Sequence, residues 1–241
     1  MRRWPWVGQQ GWHDVLFMHW PVPYELLKPY VPDPFTIETY EGQAWITVIL
    51  FQAKNSRLRG MPTSMSYPSF LQINTRTYIQ FDGEPGIYFL SVDVNHLPIV
   101  ASAKGILKLP YELAEMEIAK NNDHILFKSK RVRSNLSITG ITANYQPLTE
   151  RIANPQGTLA YWLTERYCFW MIKGKRIIKG PLSHLPWELY DVTLDLYMTD
   201  IIPFIPTKYL KTNPVVHYGK TVHAYLHPFE QSGIYLDDQP F

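Results

Sequence analysis

Between Phe70 and Val94 the chain alternates with a period of two, a pattern that fits a half-buried strand and no helix. Leu71, Ile73, Thr75, Thr77 and Ile79 fall on one face, and Phe70, Gln72, Asn74, Arg76 and Tyr78 on the other. Asp82-Gly83-Glu84-Pro85-Gly86 carries turn chemistry, after which Ile87 to Val94 resumes as a β-branched and aromatic run. This predicts a β-hairpin. With an even-numbered connecting loop, Asn74 and Arg76 should neighbour Ser91 and Asp93 across the pair and form a polar cluster.

The remaining segments arrange themselves around that hairpin. Val15 to Trp20 predicts a short strand or turn, stopped by Pro21 and Pro23, and the nearly continuous apolar run Ala44 to Phe51 predicts a strand buried on both faces. Small residues between Leu97 and Leu107 suit a helix packed closely on a sheet and ended by Pro110. Tyr111 to Ala119 and Ile125 to Val132 flank Asn121-Asn122-Asp123 as a second hairpin; Ser137 to Tyr145, Val192 to Met198 and Pro214 to Tyr218 predict further strands, and Cys168 to Ile178 a hairpin around Gly174. The clearest helix begins at Thr158 as its cap, with Leu159, Trp162 and Leu163 on one face. The 241 residues contain no linker, repeat or low-complexity stretch, so one domain over 1–241 is expected. At 46% apolar residues a substantial core is affordable, and 15% aromatics with 20 prolines point to short strands and either a wide aromatic core or a lined cavity. The expected class is mainly β (α+β): antiparallel strands in a curved sheet closing into a barrel or in a sandwich, with two or three peripheral helices.

Several function classes lose support. A net charge of +2 does not favour nucleic acid, and the basic runs at Lys128 to Arg133 and Lys173 to Arg176 read as a strand end and a hairpin. Cys168 stands alone, so neither an internal disulfide nor a cysteine-rich zinc site is available. Met1-Arg2-Arg3 leads into Trp4-Pro5-Trp6 rather than an apolar run, and no segment has membrane-spanning length, so a cytoplasmic protein without a membrane partner is expected. GxSxG, Walker, GxGxxG and HExxH patterns are absent, and no cofactor or metal is called for. His217, His223 and His227 lack a third ligand fixed by motif, while His19 and His184, close to Trp20 and Trp187, suit imidazoles bonded to backbone inside an aromatic shell. The oligomeric state is left open.

What stands out chemically is Arg76. A strand face bearing Asn74, Arg76, Tyr78, Ser91 and Asp93 combines amide, guanidinium, phenol, hydroxyl and carboxylate, which suits a pocket for a small carboxylate or carbonyl compound with Arg76 as bidentate donor. The competing reading is a solvated or salt-bridged face, in which Asp93 or another carboxylate saturates Arg76. On spacing alone, Tyr111 and Glu112 are strand residues.

A resemblance adds to this. His19-Trp20, Tyr40-Glu41-Gly42-Gln43-Ala44-Trp45, Asn74-Thr75-Arg76-Thr77-Tyr78, Pro85-Gly86-Ile87-Tyr88-Phe89, Leu109-Pro110-Tyr111, Glu165-Arg166-Tyr167 and His184-Leu185-Pro186-Trp187, in that order, resemble the YqjF-like family of bacterial proteins over nearly the whole chain. That family is in turn distantly similar to the acetoacetate decarboxylase superfamily, which implies a cone-shaped antiparallel β-barrel around an interior pocket. In that comparison Pro110-Tyr111-Glu112-Leu113-Ala114 resembles the decarboxylase Pro-Lys-Lys-Leu-Ala, placing Tyr111 where the Schiff-base lysine stands and Glu112 where its neighbour does. Gln72 falls at a carboxylate position and Lys104 at an arginine position. A phenol forms no imine, so the resemblance implies the pocket without the decarboxylation. The expected ligand residues are therefore Arg76, Asn74, Gln72, Tyr78 and Lys104. If a reaction is catalysed, Glu112 or Asp93 would serve as base and Tyr78 or Tyr111 as donor to a developing oxyanion. The alternative is a noncatalytic structural or interaction protein whose polar interior satisfies itself.

Overall fold

The computed structural model describes residues 5–132, 138–199 and 202–235, so Met1-Arg2-Arg3, Arg133 of the basic run and Ser137 lie outside the described residues. Fourteen strands form among them: β1 (Gly8–Val22), β2 (Thr36–Ile37), β3 (Ala44–Leu58), β4 (Phe70–Phe81), β5 (Glu84–Val94), β6 (Tyr111–Leu113), β7 (Glu115–Asn121), β8 (His124–Val132), β9 (Ile138–Arg151), β10 (Cys168–Lys173), β11 (Arg176–Ser183), β12 (Leu189–Thr199), β13 (Val215–Leu226) and β14 (Glu230–Ile234). Four short helices accompany them: α1 (Tyr24–Leu27), α2 (Leu97–Ser102), α3 (Leu159–Thr164) and α4 (Thr207–Leu210). No helix among the described residues is long and apolar enough to cross a membrane.

The expected central hairpin is β4–β5. Its turn is only Asp82-Gly83, with φ of 51° and 75°, the left-handed geometry that matches the twist of the flanking strands. From the turn the register runs Phe81↔Glu84 to Arg76↔Phe89 and then jumps to Thr75↔Ser91 and Ile73↔Asp93. Leu90 is thus an extra residue, a β-bulge, and it reverses the parity of every pair beyond it. The anticipated cluster of Asn74 and Arg76 with Ser91 and Asp93 therefore does not form; Arg76 stands opposite Phe89 and Asn74 opposite Val92.

β1 is far longer than the predicted segment because two partners hold it: β3 along almost its whole length and β13 as far as His19. Pro21 lies beyond the last β13 pair, so its missing N–H costs no ladder bond on that side. The pairings β11-β10-β5-β4-β3-β1-β13 close on themselves through Leu182↔Leu226 and Ser183↔Tyr225, giving a ring of strands with β12-β9-β8-β7 continuing from β13.

The two faces of β4 are divided as the alternation predicted, and each also joins an apolar cluster. Leu71, Ile73 and Ile79 join Leu16, Met18, Trp20, Ile46, Val48 and Leu50 in a core completed by Ile125, Phe127, Ile141 and Tyr145 from β8 and β9. Phe70 joins Val15, Phe17, Ile49, Phe51, Val92, Trp187 and Val222 on the opposite face. Thr158 caps α3 by accepting from Tyr161 N–H at 3.3 Å, and Leu163 is fully buried. The predicted helix over 97–107 is α2 followed by a π-helical turn, Ala103–Leu107, that ends at Lys108 in left-handed geometry.

Candidate functional site

On the second face the ring encloses a cavity of about 400 Å³, and every strand of the ring contributes to its wall. Its apolar side is aromatic: Trp12 and Phe17 from β1, Phe51 from β3, Phe70 from β4, Phe89 from β5, Phe169 from β10, and Trp187. Two of these rings are seated on glycines. A Cβ at Gly180 would lie 2.3 Å from Phe169 Cζ, and one at Gly219 would lie 2.6 Å from Trp187 Cε3, so only glycine lets either ring lie against its neighbouring strand. Wall residues Leu58, Tyr67, Leu226 and Phe229 are exposed and rim the solvent side, while Phe17, Ile49, Arg76 and Arg166 are buried. Ile99, Ser102 and Ala103 bring α2 and its π-turn over the wall. A larger groove of about 630 Å³ lies apart, between β12 and α4, and holds none of these arginines.

The polar face of β4 delivers Gln72, Asn74 and Arg76 to the cavity, because residues at i, i+2 and i+4 share one side of a strand. Gln72 Nε2 donates to Asn74 Oδ1 at 2.6 Å. Arg76 Nη2 donates to the Leu163 carbonyl at 2.9 Å, an acceptor it shares with the Tyr78 hydroxyl at 2.8 Å. That carbonyl is one of the unpaired groups at the C-terminus of α3, where a cation is favoured. Among the described residues Arg76 Nε, which is buried, has no hydrogen-bond partner, and no carboxylate lies within ion-pair distance of this guanidinium. Burial pulls the Arg76 guanidinium below its ordinary pKa, opposed by the adjacent Tyr78 phenol.

A second guanidinium reaches the same wall. Arg166, just past α3, donates from Nε to the Trp162 carbonyl at 2.9 Å and from Nη1 to Glu38 at 2.5 Å, leaving Nη2 buried and unpartnered. Both arginines sit against the Tyr78 ring, their guanidinium carbons 5.7 and 5.0 Å from its centroid. Tyr111 lines the cavity as well, and burial pushes its phenol up to about 12, so it is a neutral donor at physiological pH. No lysine stands among the described residues of the wall.

His184 is packed among Tyr167, Trp187 and Trp12 at 4.9, 5.4 and 5.9 Å between centroids. Its Nδ1 lies 2.7 Å from the Leu185 carbonyl, so Nδ1 carries the proton and Nε2 is the acceptor, and burial keeps the ring's pKa lowered. This matches the expected backbone-bonded imidazole in an aromatic shell. Glu165 fixes the same corner by accepting from the Trp187 backbone N–H at 2.8 Å and the Tyr167 hydroxyl at 2.5 Å.

Four of the sequence-predicted site residues are off the wall. Asp93, turned away by the bulge, pairs with buried Arg131 at 3.1 Å. Glu112 and Lys104 pair with each other at 3.0 Å, both half-exposed, because Tyr111 takes the inward position of β6. Tyr78 lies behind the arginines, and its hydroxyl is 2.5 Å from Thr47 Oγ1. From there a buried chain runs through His19 Nδ1 at 2.8 Å and from His19 Nε2 to His217 Nδ1 at 3.2 Å. His19 is thus bonded to side chains rather than to backbone, since the β1–β13 register places His217 opposite Phe17 and beside it. His227 lies against Ser183 instead, and among the described residues no cluster of three His, Cys, Asp or Glu side chains could hold a metal. Sequence reasoning did not select Arg166 for the site. Its signal was the Glu165-Arg166-Tyr167 triplet, but its partner Glu38 lies 128 positions away.

A ring of strands, antiparallel except where β5 meets β10, around a cavity with a buried arginine places this protein in the acetoacetate decarboxylase-like fold. A crystal structure of acetoacetate decarboxylase from Legionella pneumophila superposes with a TM-score of 0.69 at 10% identity, covering 98% of this chain and 92% of that one. The enduracididine biosynthesis enzyme MppR complexed with pyruvate gives a TM-score of 0.64 at 11% identity over 96% and 91%, and an acetoacetate decarboxylase-like enzyme from Sphingomonas wittichii gives 0.60 at 10% over 92% and 91%. At such identities the likeness is one of fold. Residues 9–223 match the DUF2071 family, described as an uncharacterized conserved protein, and an uncharacterized protein YqjF from Bacillus subtilis is 34% identical over 89% of this chain and 88% of that protein. The chain belongs to this family.

Proposed function

We propose that the ring cavity binds a small organic acid or carbonyl compound, anchored by Arg76, with Asn74, Gln72 and the neutral Tyr111 phenol beside it, and that no Schiff-base chemistry takes place there. The observation that carries this reading is the buried Arg76 guanidinium with an unfilled Nε and no carboxylate beside it, since a buried cation without a counter-ion is costly unless a ligand supplies one. Asp93, the residue best placed in sequence to saturate it, is engaged by Arg131. A protein of the same fold is complexed with pyruvate, an acid of the expected kind. With tyrosine at position 111 and no lysine on the described wall, no amine is at hand to form an imine. Tyr111 and His184 are proton-holding groups on the wall, so a reaction at this site would draw on them before Glu112 or Asp93. We place the protein in the cytoplasm, where Cys168, a buried thiol pushed up to about 11, stays reduced and unreactive.

A thermal-shift screen of carboxylic acids, aldehydes and ketones tests this with wild type and Arg76→Met side by side. A carboxylate at about one hundred times its Kd adds roughly 2.7 kcal/mol, a rise of about 5–10 °C for a chain this long, and the variant should show no such rise. No stabilisation by any carboxylate, or an equal shift in the variant, would overturn the proposal.

A further inference from the structure

Taking the anion-binding reading as given, we propose that the ligand is a monocarboxylate with an extended apolar body. Its carboxylate lies between Arg76 and Arg166, and its tail runs along the aromatic wall to the rim. The ion pairing at the closed end favours one anionic group: two guanidiniums stand there, and among the described residues Arg166 is paired with Glu38 while Arg76 has no carboxylate within ion-pair distance. Each guanidinium has a buried N–H without a partner, Arg76 Nε and Arg166 Nη2, and both arginines line the same cavity. Two donors from two arginines match the two oxygens of a carboxylate.

From that end an aromatic path leads outward. Phe89 stands opposite Arg76 in the β4–β5 register, Phe169 follows at 5.5 Å between ring centroids, and Phe229 at 5.9 Å beyond it is 45% exposed. None of these three rings can hydrogen-bond a hydroxyl or keto group. The volume points the same way. A three-carbon keto acid has six heavy atoms, which at the ~30 Å³ of a water molecule need at most about 180 Å³. The cavity offers about 400 Å³, so a small acid would leave more than half of an apolar space unfilled. An apolar tail fills that space and leaves by the apolar rim at Leu58 and Phe229.

Isothermal titration of the purified full chain with straight-chain acids from acetate to decanoate, with pyruvate and with octanol tests the proposal. Affinity should climb roughly fourfold per methylene until the cavity is full, and octanol should bind at least thirtyfold more weakly than octanoate. Val15→Phe, which places a larger side chain on the buried wall, should shorten the best acid by about two carbons. Arg166→Gln should weaken octanoate and pyruvate alike; should that variant fail to fold, the octanol comparison and Val15→Phe decide. A flat chain-length profile alongside Arg76-dependent pyruvate binding overturns this inference and leaves the anion site standing. Octanol binding as well as octanoate overturns the two-arginine head, an unshifted length optimum in Val15→Phe overturns the placing of the tail in this cavity, and no binding by any acid overturns the anion site itself.

Discussion

Arg76→Met separates ligand binding from folding more sharply than other substitutions at this site, because the two effects have opposite signs. Methionine keeps the apolar stem of the side chain as far as the Nε position and leaves the guanidinium's volume to the adjoining cavity. What is lost is one charge-assisted hydrogen bond to the Leu163 carbonyl, about 1.5–3 kcal/mol, and that carbonyl keeps the Tyr78 hydroxyl at 2.8 Å, so no buried acceptor is orphaned. What is relieved is the burial of a cation that is 8% exposed and has no counter-ion, a penalty of several kcal/mol. The unliganded variant should therefore be as stable as wild type or up to about 2 kcal/mol more stable, a rise in Tm of about 4–8 °C. Urea unfolding followed by tryptophan fluorescence, without ligand, measures it. A loss of more than about 2 kcal/mol would show that Arg76 belongs to a self-satisfied polar interior, and the site argument would fail.

Three further outcomes follow from the same geometry. Asp93→Leu leaves Arg131 buried without its carboxylate and should cost about 3–5 kcal/mol in urea unfolding; adding Arg131→Met should recover most of it, and octanoate affinity should stay within twofold in the double variant. Burial lowers the His217 pKa from 6.5 to about 4, so the unfolded chain binds the extra proton first. Stability from this group is present above pH 6.5 and is lost as pH falls towards 4, by roughly 3 kcal/mol in all; unfolding midpoints measured from pH 7 to 4 should fall, and His217→Gln should flatten that slope. Borohydride added with pyruvate or acetoacetate should leave the intact mass unchanged, and a lysine adduct would refute the absence of Schiff-base chemistry.

The division of β4 between a packed core and a cavity was legible because alternation with period two assigns faces without any tertiary knowledge. The pairing across β5 was not. A bulge at Leu90 has no compositional mark, and one extra residue was enough to send Asp93 to Arg131 and leave Arg76 opposite Phe89. Tyr111, drawn from the resemblance, lines the cavity, whereas Glu112 of the same motif points to the opposite side of β6 and pairs with Lys104 of the π-helical turn. Arg166 and the His19–His217 contact depend on segments brought together from distant parts of the chain, through ring closure and the β1–β13 register. Sequence periodicity reports on a residue's own element, and these contacts are set by others.

The most direct test is a crystal structure of the protein grown with a saturating straight-chain carboxylate such as octanoate. The account predicts density inside the ring, with the carboxylate oxygens within hydrogen-bonding distance of Arg76 Nε and Arg166 Nη2 and the chain lying beside Phe89 and Phe169. An empty ring cavity, or the acid bound outside it at the Lys104–Glu112 pair, would contradict it.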